Sequence, residues 1–581
     1  MTTLVILRFL GIFAAYTGVT LALPALMFRR ILRGRSLAEQ FLMCYTFGNF
    51  YIINIVFLLQ LLHISNFFTL AGLTAVLSIV IGGRVNRIPL KQQAGNTWHL
   101  FGKLLRGRMK LKSAIFLFLG KCAEGIKRLA KFFYRHIVKN PIQSMLLLGI
   151  GVCLCWIYGR QIILVYGYRA SDIPVHMSWI NEMSRGKIFA KGVYPFGFHC
   201  MIYYLHAVFR FDTYVILCQF FFAQVIFMHL VLLAMLKQLC KTKYIPYIGT
   251  FVFLLGNFWS GQTYSRFYAT LPQEFGMIFV IPSIYFLIRF FQIPKQKLAD
   301  KETRLTLQCF AMAFSLTLAI HFYGTMIAGL CCIGIACGFC FCFLRKEYFR
   351  RIMFTGICSV FLAVLPMGIA FATGTPLQGS LGWGLSVING GKSSSSTETE
   401  AETDEAETLE VSTGDDKNTV RVVKPDGTVM EIDVSDLPSA QENESGGQTQ
   451  TETTAPVVPK VSFGEKIRKI PGKAKNALSE MSSRILEFII KLDVKNIGYM
   501  ILASFALLLL LGLVFCIFRQ PGYGAMLMSM GFCMWIVTIL LCAGVFGLPP
   551  LMDGARCSIY YVYLLSAALT ALADGLLYMV L

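Results

Sequence analysis

The chain has 581 residues, 56% of them hydrophobic and 14% charged, with a mean hydropathy of +0.63. That composition excludes an ordinary water-soluble enzyme, and because the apolar residues come in runs of 18 or more, length here counts membrane helices rather than globular domains. The formal net charge of +22 averages two opposites: residues 392–460 hold 16 acids and 5 bases (−11), the remainder 48 bases and 15 acids (+33), so the average is no signature of nucleic-acid binding.

Taking about 20 apolar residues per crossing, the sequence predicts thirteen spans, near 4–28, 40–62, 66–83, 143–163, 213–236, 245–259, 273–291, 305–322, 324–344, 352–372, 497–518, 524–545 and 557–580. The fold class is therefore an all-α polytopic membrane protein. The first run is too long for a signal-peptide core and is followed by RRILRGR, which reads as a retained anchor. Five parts follow along the chain: a three-span unit (1–83), a basic loop with an amphipathic helix (84–142), a transmembrane core (143–390) with an external loop at 164–200, an acidic segment (391–460), and an amphipathic linker with three spans (461–581).

Orientation comes from Lys and Arg, which stay cytoplasmic near span ends. The loop 84–139 carries 14 of them against one acid, Glu124. Placing it inside also places RRILRGR, KQLCKTK, 295–304, RKEYFRR and the FRQPG turn inside. The loops 167–199, 373–497 and 547–557 then lie outside. Within the basic loop, SAIFLFLGKCAEGIKRLAKFFYRHIVK reads either as a helix lying on the anionic inner leaflet or as a solvated connector.

The acidic segment is rich in Ser, Thr, Glu and Gly and poor in large apolar residues, which predicts disorder. RVVKPDGTVMEIDV alternates around a turn and predicts a lone hairpin. Residues 462–491 read as a basic amphipathic run. The 18 cysteines sit mostly inside apolar runs, a packing usage with no paired CxxC spacing for zinc.

The densest polar constellation follows the fourth span: YGYRASDIPVHMSWINEMSRGKIFAKGVYPFGFHCMIYYLHAVF carries Asp172, His176, Glu182, Arg185, Tyr194, Pro195, His199 and His206. A helix starting near Asp172 would put His176, Trp179 or Ile180, and Met183 on one face. The run 198–211 is too short to span and reads as a surface or re-entrant helix. Asp172 has two readings: an ionised carboxylate at the bilayer edge that accepts a proton or ligates a cation, with histidines donating to an oxyanion, or a simple N-cap. Arg210 and Asp212 read as interfacial residues.

This arrangement of Asp, horizontal helix with a His, Gly turn and Tyr-Pro resembles the first external loop of the GT-C glycosyltransferases, polytopic enzymes that use lipid-linked sugar donors. The resemblance implies that Asp172 is catalytic or binds an activating divalent cation (Mg or Mn), and that His176 and the Tyr194/Pro195 pair belong to the same loop pattern, with His199 a further candidate for binding donor or acceptor. A second stretch, GQTYSRFYATLPQEFGMIF, is similar to a segment of the oligosaccharyltransferase catalytic subunit, matching at Ser265, Arg266, Glu274 and Gly276; Pro272 and Gln273 stand where that family has its other acid. It implies a catalytic or acceptor-binding Glu274 and a phosphate-pairing Arg266, which read otherwise as interfacial anchors. His321, in AIHFYGT, faces the cavity or packs a helix end. Arg556, the one base of FGLPPLMDGARCS, is placed by the resemblance on the donor phosphate.

The expected activity is transfer of a hexosyl or pentosyl group, with inversion, from a polyprenyl-phosphate donor to a glycan, lipid or protein acceptor outside the membrane. Nucleotide sugars are cytoplasmic, so acids on the outer face call for a lipid-linked donor. The expected setting is a plasma membrane, bacterial by best fit, with the endoplasmic reticulum obeying the same logic. Alternatives are a transporter or flippase of lipid-linked glycans, and a non-catalytic scaffold recruiting partners through the acidic segment.

Overall fold

The computed structural model describes residues 2–108, 110–379, 410–413, 419–423, 429–433, 463–490, 496–518, 520–548 and 551–581. Two compact units emerge, Met1–Asn389 with Gly472–Leu581, and Gly390–Pro471.

The first unit is helical. Among the described residues, eleven helices are long and apolar enough to cross a membrane: α1 (Thr2–Met27), α2 (Leu37–Leu61), α3 (Phe67–Asn86), then, after two further helices, α4 (Leu90–Leu105) and α5 (Leu111–Phe133), α6 (Pro141–Leu164). Next come two loop helices, α7 (Ile173–Ser184) and α8 (Gly197–Phe209), then the span α9 (Thr213–Leu239), the short α10 (Ile245–Trp259) and α11 (Gly261–Arg266), and the spans α12 (Pro272–Phe291) and α13 (Lys301–Ile320). The short α14 (Phe322–Gly338), the span α15 (Lys346–Ala372), the amphipathic α16 (Phe463–Phe488) and the spans α17 (Ile497–Phe518), α18 (Pro521–Leu541) and α19 (Gly554–Val580) complete the order. Two expected spans, 245–259 and 324–344, are thus shorter apolar helices. The expected amphipathic run at 462–491 is α16, which buries Met481, Ser482 and Ile485, with Ile489 just past its end, along one stripe.

Polar contacts sort the loops onto two faces. On one, Asn86 bonds the Arg30 amide and the Met27 carbonyl at 2.9 and 3.0 Å, Arg35 pairs with Glu39 (2.6 Å) and with Glu302, and Lys295 pairs with Glu347 at 2.7 Å. There too the buried Asp574 carboxylate accepts from the Lys241 and Thr242 amides (both 2.8 Å), the Thr242 hydroxyl and Tyr523 (both 2.5 Å), so a carboxylate inside a span is fully satisfied. This face collects the basic loops. On the other, Gln60 donates to the Met183 carbonyl (2.8 Å), Ser65 meets Tyr203 (3.2 Å), Tyr268 donates to the Ile157 carbonyl (3.2 Å), and Gln273 donates to the Arg556 carbonyl (3.3 Å).

In the second unit β1 (Glu410–Thr413), β2 (Thr419–Val423) and β3 (Val429–Asp433) form an antiparallel sheet in that order. The expected hairpin is β2 with β3, whose register pairs Val420 with Ile432 and Val422 with Met430. β1 enlarges it to three strands. The rest of the acidic segment expected to be disordered lies outside the described residues.

Candidate functional site

α7 forms where its sequence places Pro174 in the first helical turn and repeats apolar residues at helical spacing. Its buried stripe is Ile173, His176, Trp179, Ile180 and Met183, the face read from spacing. At its C-terminal end Gln60 of α2 donates to the Met183 carbonyl, and just beyond both helices the His63 ring donates to the Gly186 carbonyl at 2.9 Å. Arg169 ties the start of the loop to the end of α6, donating to the Gln161 and Val165 carbonyls while its guanidinium lies over Phe221 and Tyr268 at 5.1 and 5.5 Å.

Asp172 occupies the N-cap position of α7, yet its side chain caps nothing. It is exposed and accepts one bond, from the Ser171 hydroxyl at 3.1 Å. The simple capping role is therefore overturned: the backbone conformation at Asp172 is αR rather than the extended form an N-cap adopts, so the carboxylate does not fold back over the helix amides.

His176 and His199 are joined through Nδ1 and Nε2 at 3.1 Å, both buried. Burial lowers the His176 pKa to about 4 against the opposing pull of Asp172, and burial with the neighbouring His176 holds His199 well below its ordinary range. Both rings are neutral, and one N–H must lie between them. The His199 Nδ1 atom has no partner among the described residues. Placing the proton on His199 Nε2 leaves that buried Nδ1 a bare acceptor rather than an orphaned donor, and puts the remaining N–H on His176 Nε2. Trp179 packs the pair, its ring centroid 5.5 Å from His176 and 5.2 Å from His199, and stacks on Phe196 at 5.5 Å.

α8, expected as a surface or re-entrant helix, is packed in the protein interior, with nine of its residues from Gly197 to Leu205 buried. It packs against α2, α7, α9 and α3 and comes close to α13, where a Cβ on Gly197 would stand 2.8 Å from the Ala319 carbonyl oxygen. The contact brings the His199 helix against the end of α13, where His321 follows.

Arg266 and Glu274 lie together, Nε to Oε1 at 2.5 Å, and Arg266 also donates to Gln273 at 3.2 Å. Burial works against the Arg266 cation and Glu274 more than offsets it, so its pKa lies above the ordinary value. Glu274 is 1% exposed and its second oxygen has no partner among the described residues. The expectation that either residue is an interfacial anchor gives way to a mutual ion pair, joined through Gln273 to the Arg556 carbonyl. Gln273 is the residue sequence reading missed. An amide carries no charge signature, and its role appears only once α12 and α19 meet.

His321 is buried, its ring 6.4 Å from Tyr194, and its pKa falls to about 3 through burial and then the charges of Arg556 and Arg266. Tyr194 is buried and held protonated, with Arg556 and Asp172 both in electrostatic reach. The Arg556 guanidinium lies 5.8 Å above the Tyr323 ring. All eight candidates, Asp172, His176, Tyr194, His199, Arg266, Glu274, His321 and Arg556, therefore share one electrostatic neighbourhood at one face. Arg210 and Asp212 do not join it: Asp212 caps α9 through the Val215 amide at 3.2 Å and Arg210 lies over Phe67 at 5.1 Å.

Among the described residues, neither Asp172 nor Arg556 makes an ion pair. Nor do three His, Cys, Asp or Glu groups converge as a cation site; Asp172 is the one acid of the cluster not already held by a guanidinium. These residues do not make a protein cage for a divalent cation. Comparison with protein families, curated proteins and solved structures finds no match to the chain.

Proposed function

We propose that the protein is a membrane glycosyltransferase that moves a sugar from a polyprenyl-phosphate-linked donor to a hydroxyl acceptor on the extracytoplasmic face. The observation that carries this reading is the carboxylate of Asp172 and the guanidinium of Arg556, neither ion-paired among the described residues, on the face opposite the basic loops and both in electrostatic reach of Tyr194. Such a pair matches transfer from a phosphate. Asp172 takes the proton of the acceptor hydroxyl as the acceptor oxygen bonds to the anomeric carbon; the bond from that carbon to the phosphate oxygen breaks, and its electron pair leaves on the phosphate beside Arg556. Arg266, already paired with Glu274, positions Gln273 and so the backbone of Arg556.

A lipid-linked donor is further supported by an apolar groove of about 910 Å³ bounded by α12, α13, α14 and α15, among its lining residues Phe310, Phe314, Ile357, Val364 and Ala372. It follows α15 to Ala372, next to Thr373, where the chain turns towards the site loop.

Asp172→Asn is expected to lower transfer by at least 10²-fold in membranes with folded protein and saturating donor, with Arg556→Gln losing 10-fold or more. Wild-type transfer by Asp172→Asn would sink the proposal. Deletion of 393–459 serves as the comparison, because a scaffold acting through the acidic segment loses function there and an enzyme loses little. Mass spectrometry of polyprenyl-linked sugars and surface glycans in a deletion strain names the substrates: one donor accumulates and one glycan residue disappears.

A further inference from the structure

On the basic face, opposite the site, a cavity of about 370 Å³ lies between the end of α12, the start of α13 and the start of α2. Its charged lining is Arg35, Glu39, Arg289, Lys297, Asp300 and Glu302. Arg35 is satisfied by Glu39 and Glu302. Arg289 and Lys297 are not: among the described residues neither pairs with a carboxylate, and Arg289 has only a long 3.5 Å contact to the Gln292 amide oxygen. Asp300 likewise makes no ion pair, and although it stands at the N-cap of α13 its side chain caps nothing.

Tyr285 points to a ligand independently of these charges. It is 1% exposed and lines the cavity; its hydroxyl has no hydrogen-bond partner among the described residues and lies within electrostatic reach of Glu39, Arg289 and Arg35. A buried hydroxyl with no partner among the described residues, in electrostatic reach of Arg289 and lining the same cavity as Lys297, makes with them a donor set for an oxyanion. The turn that carries Lys297 is held in place by Thr303, whose hydroxyl donates to the Lys297 carbonyl at 2.7 Å.

We propose that this cavity binds a phosphate ester carrying a primary amine. Tyr285, Arg289 and Lys297 take the phosphate oxygens, and Asp300 with the remaining capacity of Glu302 takes the ammonium, so a ligand with both charges matches a lining with three cations and three anions. An anion alone would leave Asp300 and Glu302 facing it. The ligand has two sources, the headgroup of an aminophospholipid of the adjacent leaflet or a soluble amino-phosphate ester.

Full-length protein, delipidated in detergent, is titrated with dihexanoyl phosphatidylethanolamine, O-phosphoethanolamine and inorganic phosphate, with binding read by calorimetry. Both amine-bearing probes are expected to bind at least about tenfold more tightly than inorganic phosphate. A headgroup source makes the short-chain lipid about tenfold tighter than O-phosphoethanolamine, and a soluble source makes the two equal. Arg289→Gln should weaken binding about tenfold and Tyr285→Phe about threefold. Arg350→Gln, a basic residue of the same face outside the cavity, should leave it unchanged. The proposal is overturned if neither amine-bearing probe binds, if inorganic phosphate binds as tightly, or if Arg289→Gln and Tyr285→Phe match wild type or Arg350→Gln.

Discussion

The hydrogen bond between His176 and His199 is made by two rings that burial keeps uncharged, and His321 adds a third neutral imidazole nearby. Each binds a proton more weakly when folded than the ordinary histidine value of 6.5. As pH falls through 6.5 the unfolded chain takes up protons that the folded one refuses, so stability is fully present above 6.5 and declines towards the folded value of about 4 for His176. For His176 alone the loss by pH 4 is on the order of 3 kcal/mol. The melting temperature of the detergent-solubilised protein should be level above pH 7 and fall steadily from 6.5 to 4, with a shallower slope in His176→Asn. A flat profile across that window, or one that His176→Asn leaves unaltered, would contradict the neutral pair.

At the scale of elements, the loop that carries Asp172 is strapped to the chain leaving α15. Val193 bridges Leu377 in parallel fashion, its amide donating to the Pro376 carbonyl at 2.8 Å and its carbonyl accepting from Gln378 at 3.2 Å. Gly192 permits this: its φ is +106°, and a Cβ there would stand 2.8 Å from the Gln378 backbone. Gly192→Ala should release the strap while leaving the helices folded, so amide exchange at Val193 and Gln378 rises about tenfold or more and transfer falls. Unchanged protection at both amides would show that the strap does not depend on Gly192.

Sequence patterns made α7 readable, because His176, Trp179 and Met183 repeat at helical spacing and its partner lies on the same face. They did not make α8 readable. Its thirteen residues, mostly apolar and too few to span, look like a surface or re-entrant helix, and their burial comes from packing against elements distant in the chain, α2 above all and α13 through the Gly197 approach to Ala319. The Arg266 and Glu274 pair was equally out of reach, since α11 and α12 are joined by a turn whose geometry no periodicity encodes.

Over the whole molecule, two independent observations divide the loops in the same way. The sequence sorts them by charge, with the 14 bases of 84–139 as the reference. The structure sorts them by contact: loop 29–35 meets the turn after α3 and the start of α13, the turn after α9 meets the end of α19, and the turn after α12 meets the start of α15. Basic loops held together at one face suit a surface facing an anionic leaflet, and Lys and Arg near span ends resist translocation. An epitope inserted after Lys191, exposed in the site loop, should therefore be reached by antibody on intact cells, and one inserted after Lys243 only after permeabilisation. The reverse labelling would put Asp172 and Arg556 on the cytoplasmic side. Nucleotide sugars would then be accessible to the site, and topology would no longer call for a lipid-linked donor even if Asp172→Asn were inactive.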